Sequence, residues 1–196
     1  VSVSSTSRPD LASLRRRLQG LDERLAAGAL LLRSPGLDGV LVRLTRAASY
    51  SRLWLAIATV LAACGGARGR RAAFRGVLAV AIASVLANGP AKLLARRRRP
   101  PTAASPPLIG MPRSTSFPSG HSASAAAFAT GAGSELPAAR PALAGLAAAV
   151  AYSRVHAGVH YPSDVAAGIA IGIGSGLLAA HAPLCAPGRA GCGLAR

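Results

Sequence analysis

Three short stretches hold most of the residues in this chain whose type and spacing suit them to chemistry. The first is Lys92-Leu-Leu-Ala-Arg96-Arg97-Arg98-Arg99-Pro100. On a helix, Lys92 and Arg99 are two turns apart and project from nearly one face, making a pair of fixed cations for a dianion, and Pro100 ends the helix there. Lys92 is the only lysine beside 22 arginines, and a lone compact ammonium in an arginine-using chain points to a specific need. The same arginine run also reads as a basic flank that stops a hydrophobic helix at a membrane surface. The second stretch is Ser116-Phe117-Pro118-Ser119-Gly120-His121. Ser119 and Gly120 before a helix offer a hydroxyl, unpaired N–H groups and the positive end of the helix dipole, a cradle for an anion. They also read as a simple N-cap. His121 beside such a cradle is placed to give a proton to a leaving oxygen. The third runs from Ser153 and Arg154 to His160-Tyr161-Pro162-Ser163-Asp164. His160 and Asp164 are four apart across a helix start, with Pro162 favouring initiation. A carboxylate there fixes the imidazole tautomer and frees the other nitrogen as nucleophile or base; a capping Asp is the plainer reading. His156 and His181 meet no requirement of this kind.

The elements that must carry these stretches are helical. Of 196 residues, 51% are hydrophobic and 15% charged, with a mean hydropathy of +0.39, which argues against disorder and against an ordinary soluble enzyme. Residues 10–33 space Leu11, Leu14, Leu18, Leu21 and Leu25 on one face between arginines, an amphipathic basic helix suited to a membrane surface or to packing on the protein itself. After a break at Ser34-Pro35-Gly36, residues 37–48 form a second amphipathic piece. Uncharged Ala/Gly/Val/Leu stretches follow at 53–67, 76–91, 122–134, 141–153 and 165–188, of which only the last has the usual length of a span. No strand pattern competes. The expected fold is all-α, a membrane bundle of five or six hydrophobic helices with an N-terminal amphipathic helix. The boundaries expected are a lead with amphipathic helices over 1–48, a helical domain over 49–185 and a tail over 186–196. If the five segments cross in turn, all three chemical stretches fall at one end.

In this order, K-x6-R-P, P-S-G-H and S-R-x5-H-x3-D resemble the signature of the type 2 phosphatidic acid phosphatase superfamily, over about residues 50–185. The wording around the motifs is similar to the phosphatase half of actinobacterial proteins fused to a diacylglycerol-kinase-like domain. The resemblance implies a lipid phosphate or pyrophosphate phosphatase working through phosphohistidine. In it His160 is the nucleophile, Asp164 its orienting partner and His121 the acid for the leaving alcohol. Lys92, Arg99, Ser119, Gly120 and Arg154 hold the phosphate. It also implies independence of metals and cofactors, in keeping with a chain that has no carboxylate cluster for Mg²⁺. Pro101 stands where many relatives carry Arg. Haloperoxidases of the superfamily are far longer and its soluble acid phosphatases carry secretory signals, so the membrane branch is the better match.

Net charge is +17 and the pI about 11.8, which raises anionic membrane or nucleic acid as partners. Aromatics are only 4%, and no zinc-finger, basic-zipper or RNA-recognition pattern is present, so the expected partners are a lipid phosphate and the membrane, not nucleic acid. The competing class is a non-catalytic basic protein of the membrane surface or of nucleic acid. Cys64, Cys185 and Cys192 have no metal spacing; the last two either pair or stay free. Arg68, Arg70, Arg71 and Arg75 lie at the end away from the chemical stretches, and the positive-inside rule would put them in the cytoplasm, so a multi-pass cell-membrane protein with its site facing outward is expected. The Arg-rich N-terminus opposes that orientation in a five-span arrangement.

Overall fold

The computed structural model describes residues 10–101 and 106–183. Among them the elements are α1 (Leu11–Leu31), α2 (Pro35–Ala47), α3 (Arg52–Cys64), α4 (Gly66–Asn88), α5 (Pro90–Ala95), α6 (Gly120–Glu135), α7 (Arg140–His156) and α8 (Pro162–Ala180), with no strand. The all-α expectation holds. Asp10 caps α1 by accepting the Ala12 N–H, and Pro35 and Pro162 occupy opening positions where a missing N–H costs nothing. The tail cysteines, Cys185 and Cys192, lie outside the described residues, as do residues 1–9 of the expected lead and the whole expected tail, 186–196.

Small residues set the packing. Gly168, Gly172 and Gly176 recur every fourth position on α8, and a Cβ on any of them would run into α6 at Ser119, Ala123 or Thr130. Gly76 on α4 leaves room for the Phe128 ring, and Gly131 on α6 lets that helix close on the Arg75 carbonyl. Helices made this way approach closely without needing large side chains, as in lipid. The main core has Trp54 and Phe128 at its centre, ring centroids 5.4 Å apart, surrounded by alanines of α4, α6 and α7. At the end away from the chemical stretches, Glu135 pairs with Arg71 at 2.9 Å and Arg75 at 3.0 Å.

Arg68, Arg70, Arg71 and Arg75, expected at the end away from the chemical stretches, lie there in the first turns of α4. Two sequence expectations are altered. The expected helix from Lys92 to Arg99 stops at Ala95, because Arg96 turns into the left-handed region at φ 36°. Crossing length is also unequal: Gly66–Leu93 and Pro162–Ala180 are long and apolar enough to span, and α1 with α2, bent by 118°, would make a third if counted as one span. α3, α6 and α7, at 13, 16 and 17 residues, fall short of the roughly 20 residues that a 30 Å hydrocarbon core requires.

Candidate active site

Four elements bring the chemistry to one end of the bundle: the α4–α5 exit, the start of α6, the C-terminus of α7 and the start of α8. The loop between α5 and α6 is pinned over this end by Ser116 N–H to the Arg97 carbonyl (2.9 Å), Leu108 N–H to the Ala157 carbonyl (3.1 Å) and Ser119 N–H to the Asp164 carbonyl (2.9 Å). Beneath it lies a cavity of about 800 Å³, lined among others by Lys92, Arg99, Gly120, His121, Arg154 and His160.

His160 is 3% exposed. Its Nε2 accepts from Arg99 Nη1 at 3.2 Å; since a guanidinium only donates, this nitrogen carries the lone pair and Nδ1 the proton. Nδ1 faces Asp164 Oδ2 at 3.6 Å, an ion-pair distance longer than a hydrogen bond, and has no closer partner. Burial pushes the imidazole down from its ordinary 6.5 to about 4; Asp164 pulls it back up, and Arg154 and Arg99 push it further down. Neutral near pH 7, it presents a lone pair toward the cavity.

Asp164 is fully buried and held on every side. Oδ2 accepts from Ser116 Oγ at 2.5 Å and from the Tyr161 N–H at 2.9 Å, while Oδ1 accepts from Arg97 Nη1 at 2.9 Å. At N3 of α8 it also completes the helix start, in keeping with the capping reading.

The cations divide into two kinds. Lys92 donates to Asn88 Oδ1 at 3.0 Å and Ser114 Oγ at 3.2 Å. Arg99 donates to the carbonyls of Val159 (2.7 Å), Ser114 (2.9 Å) and Thr115 (3.2 Å). Arg154, only 2% exposed, donates to Thr45 Oγ1 at 2.5 Å. Among the described residues none of these three has an ion pair with a carboxylate. Arg97, by contrast, is neutralised twice over, by Asp22 at 2.7 Å and Asp164 at 2.9 Å. The cations that line the cavity are thus left without counter-charge, and the one behind it is not.

Gly120 lines the cavity, and a Cβ there would come within 3.0 Å of Asn88 Oδ1. Ser119 is not among the lining residues: its hydroxyl is fully buried in the α6 cap, accepting from Ser122 N–H and facing Ser122 Oγ at 2.9 Å. His121 Nε2 lies 3.3 Å from Ser49 Oγ. His156, which no chemistry in the sequence explained, is fully buried with Nε2 2.7 Å from Asp38 Oδ1, joining α7 to α2; His181 meets only the Leu177 carbonyl. Asp22, Thr45, Ser49, Arg97 and Ser116 were missed as site residues. The scarcity of acids was a signal for Asp22; nothing local marked the others.

These features make an all-α cavity in which cations without carboxylate partners surround a buried imidazole. The chain belongs to the PAP2 superfamily, whose family model matches residues 73–184. It is 34% identical over 147 residues to decaprenylphosphoryl-5-phosphoribose phosphatase of Mycolicibacterium smegmatis, covering 74% of this chain and 78% of that one. The protein of the same name from Mycobacterium tuberculosis is 45% identical over 83 residues, 41% of this chain, and that match spans only 45% of the relative's length. Among solved structures, the transmembrane PAP2 type phosphatidylglycerolphosphate phosphatase of Bacillus subtilis superposes with a TM-score of 0.70 at 28% identity, covering 83% of this chain and 84% of that one. Aquifex aeolicus LpxE does so with 0.67 at 25%, covering 81% and 94%.

Proposed function

We propose that this protein is a membrane phosphatase that removes the terminal phosphate of a lipid phosphate or pyrophosphate through a phosphohistidine. The observation that carries the reading is the group of three cations without carboxylate partners, Lys92, Arg99 and Arg154, around the lone pair of His160. In a low-dielectric cavity such charges favour a phosphoryl group and the charge spread over its equatorial oxygens. Gly120 lets that group approach the helix N-terminus, and Ser119 maintains the cap that aims the α6 N–H groups.

His160 Nε2 attacks phosphorus as the bond from phosphorus to the lipid oxygen breaks, and His121, charged once the dianionic phosphate offsets the neighbouring cations, gives that oxygen its proton. Asp164 balances the positive charge developing on the imidazole. Water then attacks the phosphorus–nitrogen bond and loses a proton to His121, releasing phosphate and restoring His160. Among the described residues no three of His, Cys, Asp and Glu gather as a metal site, and the reaction written here uses none.

The mycobacterial relatives favour a polyprenyl-linked phosphosugar as substrate, and the 800 Å³ cavity, with Ser51, Ser84 and Asn88 beside Ile109 and Pro112, suits a polar headgroup on an apolar stem. The site is assigned to the outer face of a multi-pass cell-membrane protein. The test is phosphate release in detergent from a panel of phosphatidate, diacylglycerol pyrophosphate, polyprenyl pyrophosphate, phosphatidylglycerophosphate and decaprenylphosphoryl pentose phosphate, with His160→Ala as control. Release from one or more lipids by the wild type and none by the folded variant is expected; equal release by both overturns the mechanism.

A further inference from the structure

The catalytic histidine and its carboxylate lie in the part of the chain that the family model matches, but what steadies them reaches outside it. Arg97 Nη2 donates to Asp22 Oδ2 at 2.7 Å and Gln19 Oε1 at 2.7 Å, both on α1, and its Nη1 donates to Asp164 Oδ1 at 2.9 Å and Ser163 Oγ at 2.6 Å. Its guanidinium carbon sits 4.2 Å from the centre of the Tyr161 ring. Asp22, 4% exposed, also takes both polar hydrogens that Ser163 offers, the N–H at 2.9 Å and the hydroxyl at 2.5 Å. One α1 carboxylate therefore holds the first turn of α8 and the cation bonded to Asp164.

We propose that Asp22 and Arg97 act as a positioning pair for the His160–Asp164 dyad, orienting the Asp164 carboxylate and keeping its charge available to the imidazole. The orientation follows from the division of oxygens. Arg97 occupies Oδ1, which leaves Oδ2 aimed at His160 Nδ1. The charge argument follows from the count of ions. Arg97 alone would cancel Asp164 and weaken its hold on the positive imidazole formed during attack. Asp22 neutralises Arg97, so the three groups together remain anionic. This rests on the phosphatase reading for its kinetic consequence, but not for its electrostatic one.

The test uses the full-length protein in detergent, with short-chain phosphatidate as probe and ¹⁵N-histidine NMR to follow the His160 titration. Groups facing His160 are Lys92, Arg99, His121, Arg154 and Asp164, and all stay unchanged in the series. Asp22→Asn keeps the shape of the side chain while removing its charge. It is expected to lower kcat about tenfold or more with KM within about twofold, and to move the His160 midpoint down. Asp22→Asn combined with Arg97→Gln removes both charges and should return the midpoint toward the wild-type value. A His160 titration unmoved by Asp22→Asn, or unmoved between the single and double variants, overturns the pairing. Should the wild type release no phosphate from any lipid of the panel, the phosphatase reading fails while the titration series still decides the electrostatic claim.

Discussion

A histidine that is to attack phosphorus must be neutral and must show its lone pair, and burial beside cations secures the first condition for His160. Its depressed value of about 4 makes the acid limb of kcat/KM fall nearer pH 4 than the 6.5 of a free imidazole, which a pH–rate profile of the enzyme measures. The same shift bears on stability. Between pH 6.5 and about 4 the unfolded chain takes up a proton here that the folded chain refuses. The contribution of His160 is therefore complete above 6.5 and is lost as pH falls through the folded value. The Tm of the wild type should drop more steeply over that interval than the Tm of His160→Gln. At the cations, Arg154→Gln is expected to cost about 10²–10³ in kcat/KM, the usual loss for one charge-stabilising group. At His121, His121→Ala should cost about 10²–10⁴, and less on a substrate with a good leaving group that needs no proton. How much of this was legible locally differs by residue. Lys92, His121, His160 and Asp164 were marked by scarce residue types at recognisable spacings. Arg97 and Arg99 could not be told apart in a run of four arginines, and only their partners separate them.

At the scale of elements, the small residues of α8 and the links that α1 and α2 make to the bundle govern the site. Gly172→Ala would set a Cβ 2.8 Å from Ala126 Cβ and Ala127 N. Overpacking of this kind should destabilise by about 1–3 kcal/mol, read as a lower Tm in detergent, and should disturb the site because Ser119 and Asp164 sit at the same helix pair. Asp38 on α2 partners buried His156, and Thr45 further along α2 partners Arg154. Asp38→Ala should therefore cost about 1–3 kcal/mol for the orphaned imidazole and also raise KM by freeing the far end of α2 from Arg154. α1 and α2 were readable as amphipathic from their leucine spacing, but not as suppliers of site residues, because periodicity gives a face and not its occupant.

For the molecule as a whole, net charge conceals an arrangement by end. Glu135 neutralises arginines at the far end, while the site end keeps Lys92, Arg99 and Arg154 facing one cavity, with Arg46 beside them. With no cluster of three His, Cys, Asp or Glu among the described residues, phosphate release should survive EDTA, and vanadate should inhibit as a five-coordinate mimic; loss of activity on chelation, restored by a divalent ion, would falsify the proposed reaction. Orientation has its own test. Cys64 is exposed at the C-terminal end of α3, away from the site. In cells carrying Cys185→Ser and Cys192→Ser, an outward-facing site predicts that an impermeant maleimide leaves Cys64 unlabelled until the membrane is opened. Labelling of intact cells reverses the assignment.

The amino-acid sequence alone determined the helical class, the hydrophobic segments and the set of scarce Lys, His and Asp residues at signature spacings, because each depends on composition or on short-range periodicity. Tertiary structure decided what those residues meet. It broke the helix at Ala95, so that Arg99 and Lys92 converge on Ser114 Oγ instead of sharing one helical face. It also brought Asp22 from α1 to Arg97, and Thr45 and Ser49 to Arg154 and His121. Neighbouring arginines became a cavity-facing cation and a carboxylate-paired one for one physical reason: charge in a buried site is governed by the partners that packing brings within about 3 Å, and those partners come from distant parts of the chain.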